Sequence, residues 1–488
     1  MSKKINDYIH FDWLPDKTLK LSLSEQIIGH IKKKISSGDW LIGQKLPSQR
    51  ELAQTLGVNR STIVEVYSEL IALGIIESHY GKGTVIINST WSLLFSNLSP
   101  EWSSYIESGI HKENLSTIQI INKLEFKENI IRLGTGEMSP DLFPHDMMKK
   151  VLNKIPARAL SLNYLEPLGL LELRTVISNH LRIHGIDANP SQLLIVSGSL
   201  QALQLISMSI LKPGSKIFVE EPSYIKSLNV FESSGMSMKG VPMDHFGLMP
   251  WMIDEKKQDF SNSILYTIPS FHNPTGINMS HERRLEVLNW CQSYQVPIIE
   301  DDVYRELWFE KEPPLPLKSL DQSGNVLYLG SSSKSLAPGL RVGWVAGPEA
   351  VVERLGDIKM QTDYGSSSLS QWALAEWIES GLYNEHLSVF RKELLLRRNF
   401  VLTLLDQYFS TLATWNIPEG GFYIWLKLNG NVSTDKLFKE AIKDNLLIHP
   451  GSLYSFKKNT FIRMSFSYAK LEDYAIGLKR LAEIIGQL

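Results

Sequence analysis

Ser331-Ser-Ser-Lys334-Ser-Leu-Ala-Pro-Gly-Leu-Arg341-Val-Gly343 follows the apolar run Val326-Leu-Tyr-Leu329. A lysine flanked by hydroxyls and followed by an arginine suits an imine-forming amine beside a phosphate. The amine must shed a proton to attack an aldehyde. Ser331, Ser333 and Arg341 have the donors to hold a dianionic phosphate. A loop lysine by itself is ordinarily just solvated, so the weight rests on what ends the neighbouring apolar runs.

Four more such runs end in polar residues of matching chemistry. Ile299-Glu-Asp301-Asp-Val-Tyr304 puts an aspartate at a strand's end, where it can pair with a pyridinium nitrogen and keep the ring an electron sink. Tyr304 can hydrogen-bond a ring hydroxyl. Pro269-Ser-Phe-His-Asn273-Pro-Thr-Gly276 offers an asparagine at a tight turn. Ser197-Gly-Ser199-Leu200-Gln201 opens a helix whose free N–H groups form an anion site. Glu221-Pro-Ser-Tyr224 supplies an aromatic ring fit to stack on a pyridine. From residue 129 onward, β-type runs alternate with amphipathic helical segments, which predicts an α/β body with a mostly parallel sheet. Ligands of such sheets bind at the carboxyl ends of the strands.

Residues 17–88 read differently. Leu23, Ile27, Ile28, Ile31 and Ile35 recur at helical spacing behind the capping box Ser22/Glu25. Ser48-Gln-Arg-Glu51 opens a second helix that stops at Gly57, and a third carries Ile63, Val66, Tyr67 and Leu70. Ile75–Tyr80 and Thr84–Ile87 then read as strands joined by Gly81-Lys-Gly83. This order is that of a winged helix-turn-helix. The segment holds nine basic against six acidic residues, while the whole chain carries a formal charge of -2, so a nucleic-acid surface must be local. Asn59, Arg60, Ser61 and Thr62 sit at the start of the third helix, the end that enters a major groove, and Lys82 stands at the wing tip. Residues 89–128, with Trp91, Trp102 and Tyr105 among Ser and Asn, read as a linker.

With 43% hydrophobic and 21% charged residues, disorder is excluded as the default state. The lone Cys291 excludes an internal disulfide and a thiolate cluster, and fits a reducing cytosol. The first ten residues have no apolar run behind their lysines, and no stretch is long and apolar enough to span a membrane. A cytoplasmic protein with no metal site is expected.

Asp39-Trp-Leu-Ile-Gly-Gln-Lys-Leu-Pro-Ser-Gln-Arg-Glu-Leu-Ala53, Leu56-Gly-Val-Asn-Arg-Ser-Thr-Ile-Val64 and Tyr80-Gly-Lys-Gly-Thr84 closely resemble the GntR-type winged helix. The resemblance implies that Ser48, Arg50, Arg60, Thr62 and Gly83 meet double-stranded DNA. From Arg132 onward the segments resemble the aminotransferase fold of the fold type I pyridoxal-phosphate enzymes. That resemblance implies an internal aldimine on Lys334, with Asp301 on the pyridine nitrogen. It implies Asn273 and Tyr304 on the ring hydroxyl, and Tyr224 stacked on the ring. Ser199, Leu200, Ser331, Ser333 and Arg341 would hold the phosphate of pyridoxal 5'-phosphate. Tyr164, in Asn163-Tyr-Leu-Glu-Pro-Leu-Gly169, matches a tyrosine that reaches the neighbouring subunit's phosphate, which implies a homodimer. Arg463, in Phe461-Ile-Arg-Met-Ser-Phe466, matches the arginine that clamps a substrate carboxylate, a task suited to a bidentate fork.

A GntR-type reader fused to such a body resembles the MocR/GabR regulators. The resemblance implies a transcription regulator that senses an amino acid or other amine by external aldimine formation. An active aminotransferase with an accessory DNA module is the alternative, as is a sensor of the vitamer itself. Asp301-Asp-Val-Tyr304 has the one-residue spacer of true aminotransferases, where the regulators often have Asp-Asp-Tyr. Selectivity for the effector is expected in loops such as Gly134-Thr-Gly136 and His449-Pro-Gly451.

Overall fold

The computed structural model describes residues 9, 11–19, 21–36, 39–40, 43–73, 75–79, 83–87, 108–109, 114–158, 163–253 and 259–488. The chain divides into two compact units, Met1–Phe126 and Lys127–Leu488.

The first unit runs α1 (Leu23–Ser36), β1 (Lys45–Leu46), α2 (Gln49–Leu56), α3 (Arg60–Ala72), β2 (Ile76–His79) and β3 (Gly83–Ile86). Ser22 starts α1 reciprocally, Glu25 N donating to Ser22 Oγ at 3.2 Å and Ser22 N to Glu25 Oε2 at 2.9 Å. Ser48 and Glu51 repeat the device at α2. That helix ends on Gly57 at φ 63°, a left-handed cap that glycine adopts without a Cβ penalty. Its three helices bury Ile27, Ile31, Leu52, Leu56, Ile63, Val66 and Leu70 in one core. Tyr67 on α3 donates its hydroxyl to the Pro47 carbonyl, tying α3 to the residue before the α2 cap.

The sheet order is β1-β3-β2, all antiparallel. Sequence patterning predicts only the last two strands, since a two-residue strand has no period to read. Ile9 and Phe11 join this core ahead of residue 17, and helix Ser116–Leu124, within the span expected as linker, belongs to the first unit. Tyr80, Gly81 and Lys82, and the linker aromatics Trp91, Trp102 and Tyr105, lie outside the described residues.

The second unit contributes β4 (Ile131–Arg132), β5 (Leu193–Val196), β6 (Lys216–Glu221), β7 (Ser237–Asp244), β8 (Gly247–Leu248), β9 (Ser263–Thr267), β10 (Ile298–Asp301), β11 (Val326–Ser331), β12 (Gly343–Ala346), β13 (Ala413–Trp415), β14 (Tyr423–Leu428), β15 (Leu446–Leu447), β16 (His449–Pro450) and β17 (Phe461–Ser465). Eight of them form one sheet, ordered β5-β12-β11-β10-β9-β6-β7-β8. Pairs from β11 through β7 are parallel, while β12 and the edge strand β8 run against them. Every residue of β5, β9, β10 and β11 is buried, which is why β5 reads as an unbroken apolar run and the others as apolar stretches with polar residues at their ends. A smaller antiparallel sheet, β13-β14-β17-β16, brings His449 opposite Arg463. Strands β4 and β15 form a separate parallel pair. Among the described residues, no helix is long and apolar enough to cross a membrane.

Tyr67→Phe leaves the buried Pro47 carbonyl without its donor, a loss of about 1–3 kcal/mol. Hydrogen exchange on the intact protein should be faster in α2 than in the parent, and unchanged exchange there would contradict the anchoring role.

Candidate functional site

The candidate side chains cluster where the parallel strands end. Asp301 closes β10, and Lys334 lies in the turn after β11. Asn273 follows β9, Tyr224 follows β6 and Ser199 opens a helix just after β5. Parallel register fixes this convergence, since Asp301 pairs with Leu329 and Val219 with Tyr266.

Arg463, on β17, is the centre of the buried net. Only 5% of it is exposed. Nη1 donates to Asn273 Oδ1 at 3.0 Å, and Nη2 to Gly134 O and His449 Nδ1, both at 2.9 Å. The guanidinium lies over the rings of Tyr423 and Tyr454, 4.4 and 4.8 Å from their centroids. Among the described residues no carboxylate pairs with it, and its Nε has no hydrogen-bond partner. Burial, and then the Arg463 charge, hold His449 well below the usual histidine range. His449 is therefore neutral, and its Nδ1 accepts from Arg463.

The tripeptide Gly134-Thr-Gly136 links this guanidinium to the lysine. Gly134 O accepts from Arg463, and Gly136 O accepts from Lys334 Nζ at 2.7 Å. A Cβ on Gly134 would lie 2.4 Å from His449 Cδ2, and one on Gly136 would lie 1.8 Å from Tyr423 Oη. Both glycines are thus demanded by close approach. Tyr304 Oη lies 3.2 Å from Asn273 Nδ2 and 3.1 Å from Tyr423 Oη, so the valine spacer does not keep Tyr304 from the net. Asp302, next to that spacer, turns away into a buried ion pair with Arg305 at 3.2 Å.

Asp301 is buried and accepts from Tyr266 Oη at 2.7 Å through Oδ2, while Oδ1 has no partner. Burial is the main cause that pushes its carboxyl from 3.8 up to about 6; the Tyr266 hydroxyl opposes this, Asp302 adds to it, and the Val303 N–H and the Lys334 charge oppose it more weakly. Tyr224 is half-buried, and its N–H donates to Asn273 O at 3.0 Å.

The residues expected to hold a phosphate form two groups. Ser331 Oγ accepts from Ser333 N at 3.1 Å and lies 3.0 Å from Ser333 Oγ. Arg341 donates to Ser197 O at 2.6 Å. This carbonyl precedes Gly198, whose φ of 90° turns the chain into helix Ser199–Ser209. A Cβ on Gly198 would sit 2.7 Å from Arg341 Nη2. Ser197, Leu200, Gln201, Arg341 and Asp363 line a cleft of about 390 Å³ there. Tyr164 stands apart, 80% exposed and edge-on to Tyr364, outside the buried net. In the first unit Ser48, Arg50, Asn59, Arg60, Ser61 and Gly83 are exposed and Thr62 is half-buried.

Sequence reasoning missed Tyr423, Tyr266 and the support beneath Asn273. Fully buried Glu220, in β6, accepts from Ile268 N and Thr267 Oγ1 and lies 3.2 Å from His272 Nε2. His272 Nδ1 in turn meets Thr275 Oγ1 at 2.8 Å, holding the turn that carries Asn273. The tyrosines sit inside apolar strands, where a ring looks like core. The glycines facing Tyr423 are the one available signal.

Residues 128–481 match the aminotransferase class I and II family, and residues 23–86 match the gntR family of bacterial regulatory proteins. The chain is 48% identical to the uncharacterized HTH-type transcriptional regulator YisV of Bacillus subtilis over 98% of each protein. It is 33% identical to the HTH-type transcriptional regulator NorG of Staphylococcus aureus over 90% of this chain and 98% of NorG. The α-aminoadipate aminotransferase LysN of Thermus thermophilus, crystallised with N-(5'-phosphopyridoxyl)-L-leucine, superposes with a TM-score of 0.72 at 28% identity, over 80% of this chain and 99% of LysN.

The raised Asp301 pKa has a stability consequence. Ionised Asp301 weighs against the fold above about pH 6, and the cost fades as pH falls toward 3.8. Asp301→Asn should stabilise the ligand-free protein by about 1–3 kcal/mol near pH 8. Denaturant titrations should show that gain vanish near pH 4. A variant less stable than the parent at the higher pH would contradict the burial cost.

Proposed function

The chain belongs to the MocR-type HTH regulators, DNA-binding transcriptional regulators with an aminotransferase class I and II body, and from that premise we propose that it senses an amino acid through pyridoxal phosphate held on Lys334. The observation that carries this reading is the buried Arg463, a cation with no carboxylate partner among the described residues, joined by one tripeptide to the Lys334 amine. A buried ion without a counter-ion is costly, and an incoming carboxylate removes that cost.

The residues fit the cofactor. The orphaned Asp301 Oδ1 is a buried acceptor suited to a protonated ring nitrogen. Tyr304 and Asn273 offer a hydroxyl and an amide to a ring hydroxyl. Ser331, Ser333 and Arg341, with Ser199 and Leu200 at the helix N-terminus, offer donors to a phosphate. Tyr224 offers a stacking face. When bound, pyridoxal phosphate supplies an aldehyde carbon that exchanges amines and a ring that draws electrons. Lys334 would hold the cofactor, Arg463 would orient an incoming amine by its carboxylate, and neutral His449 keeps the guanidinium aimed. Tyr164, being exposed, is free to serve a partner subunit in a homodimer. The described polar residues of the winged helix, Ser48, Arg50, Asn59, Arg60, Ser61, Thr62 and Gly83, contact DNA, and Lys82, outside the described residues, is a further contact on its place in the sequence alone. Occupancy at Lys334 then shifts the body between states of different DNA affinity, in the cytoplasm.

Operator binding by the cofactor-loaded protein tests this, with a panel of amino acids added in turn. One amino acid should change the affinity by roughly fivefold or more. Lys334→Ala should abolish that response while keeping DNA binding, and Arg60→Ala should weaken DNA binding with or without effector. Release of a keto acid with no change in DNA affinity would favour the aminotransferase reading instead.

A further inference from the structure

His180 and His184 stand one turn apart at the end of helix Leu171–Ile183, a spacing that puts both rings on one face. Their Nε2 atoms converge on one oxygen, Glu306 Oε1, at 3.0 and 2.9 Å. The rings lie 5.2 Å apart at 84° to each other, and the three ligand atoms all fall within 4.8 Å of one another. The cluster is nearly enclosed, its side chains being 9%, 13% and 15% exposed. Glu306 Oε2 is taken by Arg391 Nη2 at 2.9 Å, and that guanidinium lies 4.0 Å from the Trp308 ring centroid.

We infer that His180, His184 and Glu306 bind a divalent transition-metal ion of the zinc class. Two imidazoles and one carboxylate form a borderline donor set, the kind that zinc takes. Bonds of about 2.0–2.1 Å in a tetrahedron place ligand atoms about 3.3 Å apart. The nitrogen–oxygen separations need open by a few tenths of an ångström, and the two Nε2 atoms, within 4.8 Å of each other, close by up to about 1.5 Å through rotation of the imidazoles. Arg391 fixes the second carboxylate oxygen and leaves Oε1 for the ion, as outer-shell groups do around metal ligands. Three protein ligands leave the fourth position to water or another small ligand.

The site has a place in the fold. Glu306 lies two residues beyond Tyr304, in a turn closed by Leu307 N donating to Tyr304 O at 2.9 Å. An ion here ties helix Leu171–Ile183 to the segment that carries Asp301 and Tyr304. Arg391 extends the tie to helix Leu382–Phe409. In sequence the third ligand stands 122 residues from His184, and an i, i+4 histidine pair alone carries little signal.

The test uses untagged full-length protein, freed of metal by chelation and dialysed against Zn²⁺, with Co²⁺ as the spectroscopic probe. One zinc per chain should bind, and Co²⁺ should give the visible bands of a low-coordinate site. His180→Gln and His184→Gln should each lower affinity at least about 10–100-fold, the range already seen on loss of an outer-shell partner. Equal binding by parent and variants, or none by the parent, would overturn the assignment. If the variants do not fold, the parent still decides. Zn²⁺ should protect His180 and His184 from acylation by diethyl pyrocarbonate, mapped by mass spectrometry, and unprotected histidines would overturn it.

Discussion

A positive charge sits in the interior at Arg463 with no negative charge to meet it among the described residues, and the rest of the site is arranged around that fact. Burying an ion costs several kcal/mol even after relaxation. Three hydrogen bonds from a charged donor return about 1.5–3 kcal/mol each, which keeps the cation tolerable. The acceptors are two neutral side chains, Asn273 and His449, and one backbone carbonyl, Gly134. Tyrosine faces cover the charge without neutralising it. His449 must stay unprotonated to accept from the guanidinium, and its burial beside Arg463 holds it so. The same tripeptide that accepts from Arg463 also accepts from Lys334, so the amine and the guanidinium are set by one piece of backbone.

Much of this was legible in the sequence because strand ends announce themselves. Asp301, Asn273, Tyr224 and Lys334 each follow an apolar run, and a polar residue at the carboxyl end of a parallel strand has few structural reasons to be there. Capping boxes at Ser22 and Ser48 were equally readable, since each is a fixed spacing with a fixed chemistry. What stayed hidden depends on contacts distant in sequence. Tyr423 opens a mostly apolar strand beside the buried Ile424, Leu426 and Leu428, and its place in the net appears only where Gly136 makes room for its hydroxyl. Glu220 looks like one more acid at a strand end until the fold brings His272 to it. The strand Lys45–Leu46 is too short to carry a period, and its partner β3 lies across two helices.

The two units call for different kinds of evidence. In the winged helix the candidate DNA-contacting residues stand out by exposure: the polar residues at the starts of α2 and α3 are exposed, Thr62 partly so, while the apolar faces close on one another. In the body the candidate residues around Arg463, namely Asn273, Asp301 and Tyr304, are buried, and hydrogen bonds define their net, while Arg341 and Leu200 are exposed. Exposure alone would have singled out Tyr164 and passed over Arg463. The buried charge and the orphaned Asp301 oxygen are both expensive in the ligand-free fold. Such cost at one place marks a site built for something that removes it.

The most direct test of the central claim is the preference of the cofactor-loaded protein for an amino acid over the same amine without its carboxylate. Visible absorbance titrations would measure this for the parent and for Arg463→Gln. The account predicts a preference of roughly tenfold or more in the parent, the worth of a hydrogen-bonded charge, and its loss in the variant. Equal affinity for both ligands in the parent, or a preference that survives in Arg463→Gln, would contradict it.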